Sequence, residues 1–125
     1  NSLGMRFTTV YGPGARETML IPKILKNDIE YLNVNHTRDF IHVDDVISAI
    51  YTVLHNDVRG VIDVGTSISN KLIDIADYFK IDYQNRIADE TERLNNTADT
   101  KILNSLGWHA KTNLYGYIEE NKNVQ

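Results

Sequence analysis

The 125-residue chain contains no cysteine. Disulfides, zinc–thiolate centres and thiol nucleophiles are therefore excluded, and the absence suits a reducing, cytoplasmic setting. Proline occurs twice and glycine seven times, too few for a Pro/Gly-rich disordered chain. Apolar runs reach only a few residues, so no segment reads as a membrane-spanning helix. The start, Asn1-Ser2-Leu3-Gly4, has neither the basic region nor the apolar stretch of a signal peptide. It also lacks an initiator methionine, as expected of a fragment, a processed chain or an incomplete reading frame. Positive charge is short as well. Lys and Arg number 13 against 17 Asp and Glu, a net charge of −4, and no basic face for nucleic acid is expected. An anionic ligand would have to be held by individual arginines.

What is present is an ordinary globular composition, 42% hydrophobic and 24% charged, enough for one domain or a piece of one. Met5 to Val10 reads as a strand, rich in residues that suit a pleated surface, and Gly12-Pro13-Gly14 ends it. Thr18 to Lys26 reads as a short helix with Pro22 in its first turn. Ile29–Asn33 and Arg38–Val43 read as further strands. Asp44 or Asp45 is expected to cap a helix reaching about His55, whose apolar stripe is Val46, Ile47, Ala49, Ile50, Val53 and Leu54. Gly60–Gly65 reads as a buried strand. Ser67 or Ser69 is expected to cap a helix containing Leu72, Ile75, Ala76 and Phe79. The polar stretch 80–97 has no clear periodicity. Helices are expected over Ala98–Leu106, stopped by Gly107, and from Asn113 to about Asn121, with Glu119–Gln125 fraying. Strands alternating with helices define an α/β chain.

Several residues carry two readings each. Asp39, Asp44 and Asp45 could be a carboxylate or metal cluster, but aspartates at a helix start are usually caps. His42 reads as packed or hydrogen-bonded. Arg38 offers a planar fork of donors suited to phosphate oxygens; alternatively it pairs with Asp39 or Asp44. Thr8 and Thr9 end a strand, where open α/β sheets place ligands, although strand propensity alone would explain them. Tyr31 offers a ring for stacking or sits half-buried in a strand. Trp108 reads as a core anchor.

Four segments, in order, resemble the extended short-chain dehydrogenase/reductases that act as nucleotide-sugar epimerases and dehydratases. They are Arg6-Phe7-Thr8-Thr9-Val10-Tyr11-Gly12-Pro13, Arg38-Asp39-Phe40-Ile41-His42-Val43-Asp44-Asp45-Val46, Gly60-Val61-Ile62-Asp63-Val64-Gly65, and Ala98-Asp99-Thr100-Lys101 followed by Leu106-Gly107-Trp108. The resemblance implies that residues 1–125 are the C-terminal, substrate-binding portion of an extended Rossmann-type fold whose intact enzyme uses NAD. It implies that Phe7 and Thr8 border the nicotinamide, and that Thr9, Leu20, Ile29, Tyr31, Arg38 and Glu92 contact a nucleotide-diphosphate sugar, with UDP as the expected nucleotide. Arg38 would hold the diphosphate, Tyr31 and Ile29 would flank the base, and Glu92 would meet the ribose. Asp89 stands where the family's second phosphate arginine falls, with Arg86 or Arg93 as substitutes if the loop shifts. The Thr9-to-Pro13 sequence, Arg16 and Met19 are similar to members acting on uronic acid nucleotides, the UDP-glucuronate 4-epimerase-like group. Met19 replaces a frequent Asn.

The family's glycine-rich dinucleotide turn and its Tyr-x-x-x-Lys are both missing from these residues. The resemblance therefore implies no hydride-transfer turnover by these 125 residues alone. Two other outcomes stay open, a non-catalytic binding or assembly module and an inert remnant. Strands normally embedded in a larger sheet would expose edges, so self-association, or pairing with a separate N-terminal half, is expected.

Overall fold

The computed structural model describes residues 3–14, 16, 19–33, 35–86 and 96–122. The first expected strand divides in two. Leu3–Phe7 is β1 and Thr9–Tyr11 is β2, because the backbone changes partners at Thr8. Thr8 N–H donates to Val64 O (3.1 Å), whereas Thr9 N–H donates to Asp39 O (3.0 Å). The expected 38–43 strand is interrupted in the same way at Asp39. Thr37–Arg38 forms β4 and Phe40–His42 forms β5. β2 runs parallel to β5, and β1 parallel to β6, Gly60–Val64. β3, Tyr31–Asn33, runs parallel to β8, Gln84–Arg86, inside the stretch without clear periodicity. β4 pairs antiparallel with β7, Asn70–Lys71. Among the described residues each sheet is a two-stranded ribbon.

The helices also correct some expected boundaries. α1, Leu20–Leu25, keeps Pro22 in its first turn; the expected start at Thr18 lies outside the described residues. α2, Val43–Leu54, is capped by His42 and not by an aspartate: His42 Nδ1 accepts from Asp44 N–H (3.0 Å). Asp45 turns inward, where its two oxygens accept from Lys111 N–H and Thr112 N–H, each at 3.0 Å. α3, Leu72–Tyr78, has Lys71 at its N-cap and no side-chain cap. Ser67 cannot cap it, since it sits in the left-handed region (φ 67°) and donates from Oγ to Ala98 O (2.8 Å). Ser69 Oγ instead meets Thr97 Oγ1. α4, Lys101–Ser105, starts later than expected. Ala98 N–H and Asp99 N–H are already bonded to Asp39 and Asp63. α5, Leu114–Lys122, runs through residues expected to fray, held by buried Ile118 and by Asn121 Nδ2 donating to Tyr117 O (2.8 Å).

β5 explains why there are two cores. Successive strand side chains point to opposite faces. Phe40 therefore enters a cluster with Tyr11, Ile24, Leu32, Ile75 and Ile118, and Ile41 enters another with Ala49, Val53, Val64, Leu103 and Trp108. Burial on both faces is usual for a parallel strand. Each fully buried aliphatic side chain contributes roughly 1.5–3 kcal/mol. Trp108 anchors the second core as expected, 6% exposed, with Nε1 donating to Ser48 Oγ (2.8 Å).

Tyr11 is the least satisfied member of the first core. Its ring meets His42 and Tyr117 edge-on, at 5.3 and 5.1 Å between centroids. Its Oη is buried without a hydrogen-bond partner among the described residues. Burial, and secondly the charge of Asp45, push its pKa upward from the usual value of 10.0. The native state thus retains a proton that the unfolded chain loses. That stability is complete below pH 10 and declines as pH rises further. We expect Tyr11→Phe to raise stability by on the order of 1 kcal/mol at pH 7, and by more at pH 11. Thermal melts at both pH values test this, and a loss at pH 7 would mean that the hydroxyl has a partner.

Candidate functional site

The charged run 38–45 first suggests a carboxylate cluster, but its three aspartates diverge. Asp44 is exposed, Asp45 holds the 111–112 loop, and Asp39 is fully buried. Asp39 is the centre of a knot. Its carboxylate accepts from Thr66 N–H (2.9 Å), Thr66 Oγ1–H (2.6 Å), Ser67 N–H (2.9 Å) and Ala98 N–H (3.1 Å). Its own N–H donates to Asn96 Oδ1 (3.0 Å), and Asn96 Nδ2 donates to Thr9 Oγ1 (3.0 Å). Gly65 lies within this knot. A Cβ there would come within 2.7 Å of Asp39 Oδ2 and of Ala98 Cβ, and within 2.8 Å of Thr8 Oγ1. The reading of Asp39 as a helix cap is therefore corrected: it fastens three segments distant in sequence.

This knot lies just beyond the carboxyl ends of β1 and β6, where open α/β sheets bind ligands. A hollow of about 380 Å³ opens there, walled by Phe7, Thr8 and Asn96, with the Arg6–Asp63 ion pair (2.8 Å) at its side. A second hollow of about 380 Å³ lies beyond β2, lined in part by Gly12, Arg16 and Met19. Gly12 has φ 134° and stands so close to α2 that a Cβ would meet Val43 Cγ1 at 2.8 Å. A larger groove of about 580 Å³ follows the outer side of α2, past Ile47, Tyr51 and Trp108. It includes none of the ligand candidates from the sequence, and its walls are mainly apolar.

Phe7 and Thr8 thus share one hollow, and Thr9 adjoins it through Asn96. Leu20 and Ile29 are half-buried against the first core. Tyr31 is 49% exposed on β3. Arg38 is half-buried on β4; it donates from Nη1 to Thr37 O (2.7 Å) and from Nη2 to His36 Nδ1 (3.3 Å). His36 is itself fixed, its N–H donating to Asn33 O (3.3 Å) and its O accepting from Leu72 N–H (3.2 Å). Arg38 is thereby braced against the end of β3. Glu92, with Asp89 and Arg93, lies outside the described residues. Sequence reasoning missed Asn96, which carries no motif, and the setting of Arg86, whose guanidinium lies 5.3 Å over the Tyr31 ring. Among the described residues no group of three or more His, Asp or Glu side chains is placed to hold a metal ion.

The fold and this carboxyl-end site define a partial Rossmann-type α/β protein. The model of the NAD dependent epimerase/dehydratase family matches residues 1–65, and the chain belongs to that family. CDP-abequose synthase from Salmonella muenchen is 30% identical across 87% of this chain and 43% of its own length. The enzyme of the same name from Salmonella typhimurium strain LT2 is 28% identical across 94% of this chain and 46% of its own. The chain therefore spans less than half the length of these curated relatives. MoeE5 in complex with UDP-glucuronic acid and NAD is 26% identical, with a TM-score of 0.78, over 97% of this chain and 46% of that one. The dTDP-glucose 4,6-dehydratase of Bacillus anthracis, in complex with NAD, has a TM-score of 0.80 over 97% of this chain and 43% of that one. At 21% identity it shows the fold alone.

The knot has a direct test. Asp39→Asn introduces a donor among converging donors and leaves a buried N–H or hydroxyl unsatisfied, costing about 1–3 kcal/mol per group. Asp44→Asn, on the surface, should stay within about 0.5 kcal/mol of wild type. Urea denaturation of both variants separates the cases, and equal midpoints would remove Asp39 from the centre of the fold.

Proposed function

We propose that residues 1–125 form the C-terminal, nucleotide-sugar-binding portion of an NAD-dependent sugar-nucleotide epimerase or dehydratase, without hydride-transfer turnover of its own. The observation that carries this is the Asp39 knot. At the carboxyl edge of the strands, the Asp39 backbone carbonyl accepts from Thr9 N–H at the end of the Phe7–Thr9 turn, and its carboxylate, one residue after Arg38, gathers Thr66, Ser67 and Ala98. In this reading Arg38 holds the diphosphate, and Tyr31 with Ile29 flanks the base. Leu20 contributes backbone at the start of α1, Thr9 faces the sugar, and Glu92 meets the ribose. Phe7 and Thr8 close one side of the nicotinamide site, and NAD brings the hydride chemistry. A thiol-free chain acting on nucleotide sugars suits the cytoplasm, and no described helix is long and apolar enough to cross a membrane.

Two nucleotides have support. UDP follows from the uronate-like Thr9-to-Pro13 sequence and from MoeE5, whose structure holds UDP-glucuronic acid. CDP follows from the curated relatives, both of which are CDP-abequose synthases. Isothermal titration of the 125-residue chain with UDP- and CDP-sugars tests the core of the reading. Arg38→Ala should weaken binding about ten- to hundred-fold, through loss of a charge-assisted hydrogen bond of about 1.5–3 kcal/mol. Wild-type chain that fails to bind at millimolar ligand would defeat the nucleotide-site reading; an Arg38→Ala variant with unchanged affinity would remove Arg38 from it.

One observation favours an assembly role beside binding. Phe7 at the end of β1 is 47% exposed and Val61 on β6 is 59% exposed, although parallel sheets are usually covered on both faces. Such edges and faces accept further strands. Association that grows with concentration in light scattering is expected, and a clean monomer at high concentration would end this second reading.

A further inference from the structure

The proposed site leaves the base open between uracil and cytosine, and the β3–β8 ribbon bears on that choice. Its outer face carries four side chains. Tyr31 and Asn33 alternate outward with Leu32, which is buried. The parallel register sets Gln84 beside Tyr31 and Arg86 beside Asn33. The Tyr31 ring is half exposed, with the Arg86 guanidinium 5.3 Å from its centroid. Asn33 Oδ1 is shielded from solvent and has no hydrogen-bond partner among the described residues. A stacking platform and a fork of donors therefore share this face, and an unsatisfied acceptor lies shielded beside them.

We propose that Arg86 and Asn33 read the base and select cytosine. This rests on the nucleotide-site reading above and deepens it. A base stacking on Tyr31 displaces the guanidinium from the ring to the base edge, a shift that the long arginine side chain permits. Cytosine presents N3 and O2 as adjacent acceptors, with the 4-amino group as a donor beside them. A guanidinium has five donors and no acceptor, so it takes N3 and O2 together as a bidentate pair. The same movement of Arg86, the register neighbour of Asn33, opens the shielded Asn33 Oδ1 to the 4-amino hydrogen that it lacks. Uracil fails twice: its N3–H points a donor at the guanidinium, and its O4 faces Asn33 Oδ1. Rotating the Asn33 amide repairs the second mismatch but not the first. Guanine offers the fork its O6 and N7 acceptors, but that edge has no donor for Asn33.

The test is titration of the full 125-residue chain with CDP, UDP and GDP, each without a sugar. CDP should bind about ten-fold tighter than UDP or GDP, within the discrimination expected of one bidentate contact. Arg86→Ala should weaken CDP about ten-fold and remove its preference over UDP. Arg86→Lys, which keeps the charge but loses the fork, should lose the preference in the same way. Arg86 is exposed, so these variants should fold, and a wild-type circular dichroism melt confirms it. Equal wild-type affinity for the three nucleotides overturns the base reading and leaves the nucleotide site standing. Equal weakening of CDP and UDP in Arg86→Ala also overturns it, by making Arg86 a phosphate contact. Failure to bind any of the three overturns the nucleotide site itself.

Discussion

The structure depends on the side chain of Asp39. A buried carboxylate loses its hydration, and the loss is tolerable only where hydrogen-bond donors replace water. Here backbone N–H groups of Thr66, Ser67 and Ala98 and the Thr66 hydroxyl do so. The same donors would otherwise be unsatisfied at the ends of β6 and before α4. Each side of the knot thus answers the polar demand of the other, which makes the arrangement cooperative. It also dictates composition nearby. Gly65 has no room for a side chain, because Asp39, Ala98 and Thr8 close around it.

Hydrophobic pattern made the α/β alternation legible, and the family resemblance pointed to the carboxyl edge. Element types were mostly recoverable where a buried stripe is long, as in α2. Boundaries failed where distant partners decide them. Nothing local in Met5–Val10 says that Thr8 bonds Val64 while Thr9 bonds Asp39. The cap of α2 is a similar case. Aspartate at a helix start is the usual acceptor, yet His42 already has extended backbone one residue earlier (φ −71°, ψ 146°) and supplies Nδ1. That frees Asp45 to reach the 111–112 loop, a contact separated by more than sixty residues. β8 was invisible because Gln84-Asn85-Arg86 has no apolar alternation. It is a strand through its pairing with β3 and not through burial.

The two cores and the candidate ligand face divide the work. Phe40 and Ile41, adjacent on β5, feed opposite clusters and make that strand the wall between them. The side chains with ligand chemistry lie instead on short ribbons. β3 and β8 have three residues each, and β4 and β7 two. So few ladder hydrogen bonds cannot hold a side chain by themselves. Position comes from cross-bracing, as where His36 links the end of β3, the start of α3 and the Arg38 guanidinium. A cation held this way loses less conformational entropy when a ligand arrives, which favours affinity.

The same bracing bears on chemistry. Proton transfer needs a group whose lone pairs or protons can reach a substrate. Asp39 has its oxygens directed at protein donors, Asp45 has both oxygens on backbone N–H groups, and His42 Nδ1 is engaged by its cap. The charged run that looks most like a catalytic cluster is therefore the most thoroughly occupied with structure. Arg38, at its head, presents donors of the kind a diphosphate requires, and Tyr31 presents a half-exposed ring beside Arg86. In the reading proposed above, such a chain orients a nucleotide sugar and relies on groups beyond this cluster for the hydride and the proton. That agrees with matched relatives in which it spans less than half of the length.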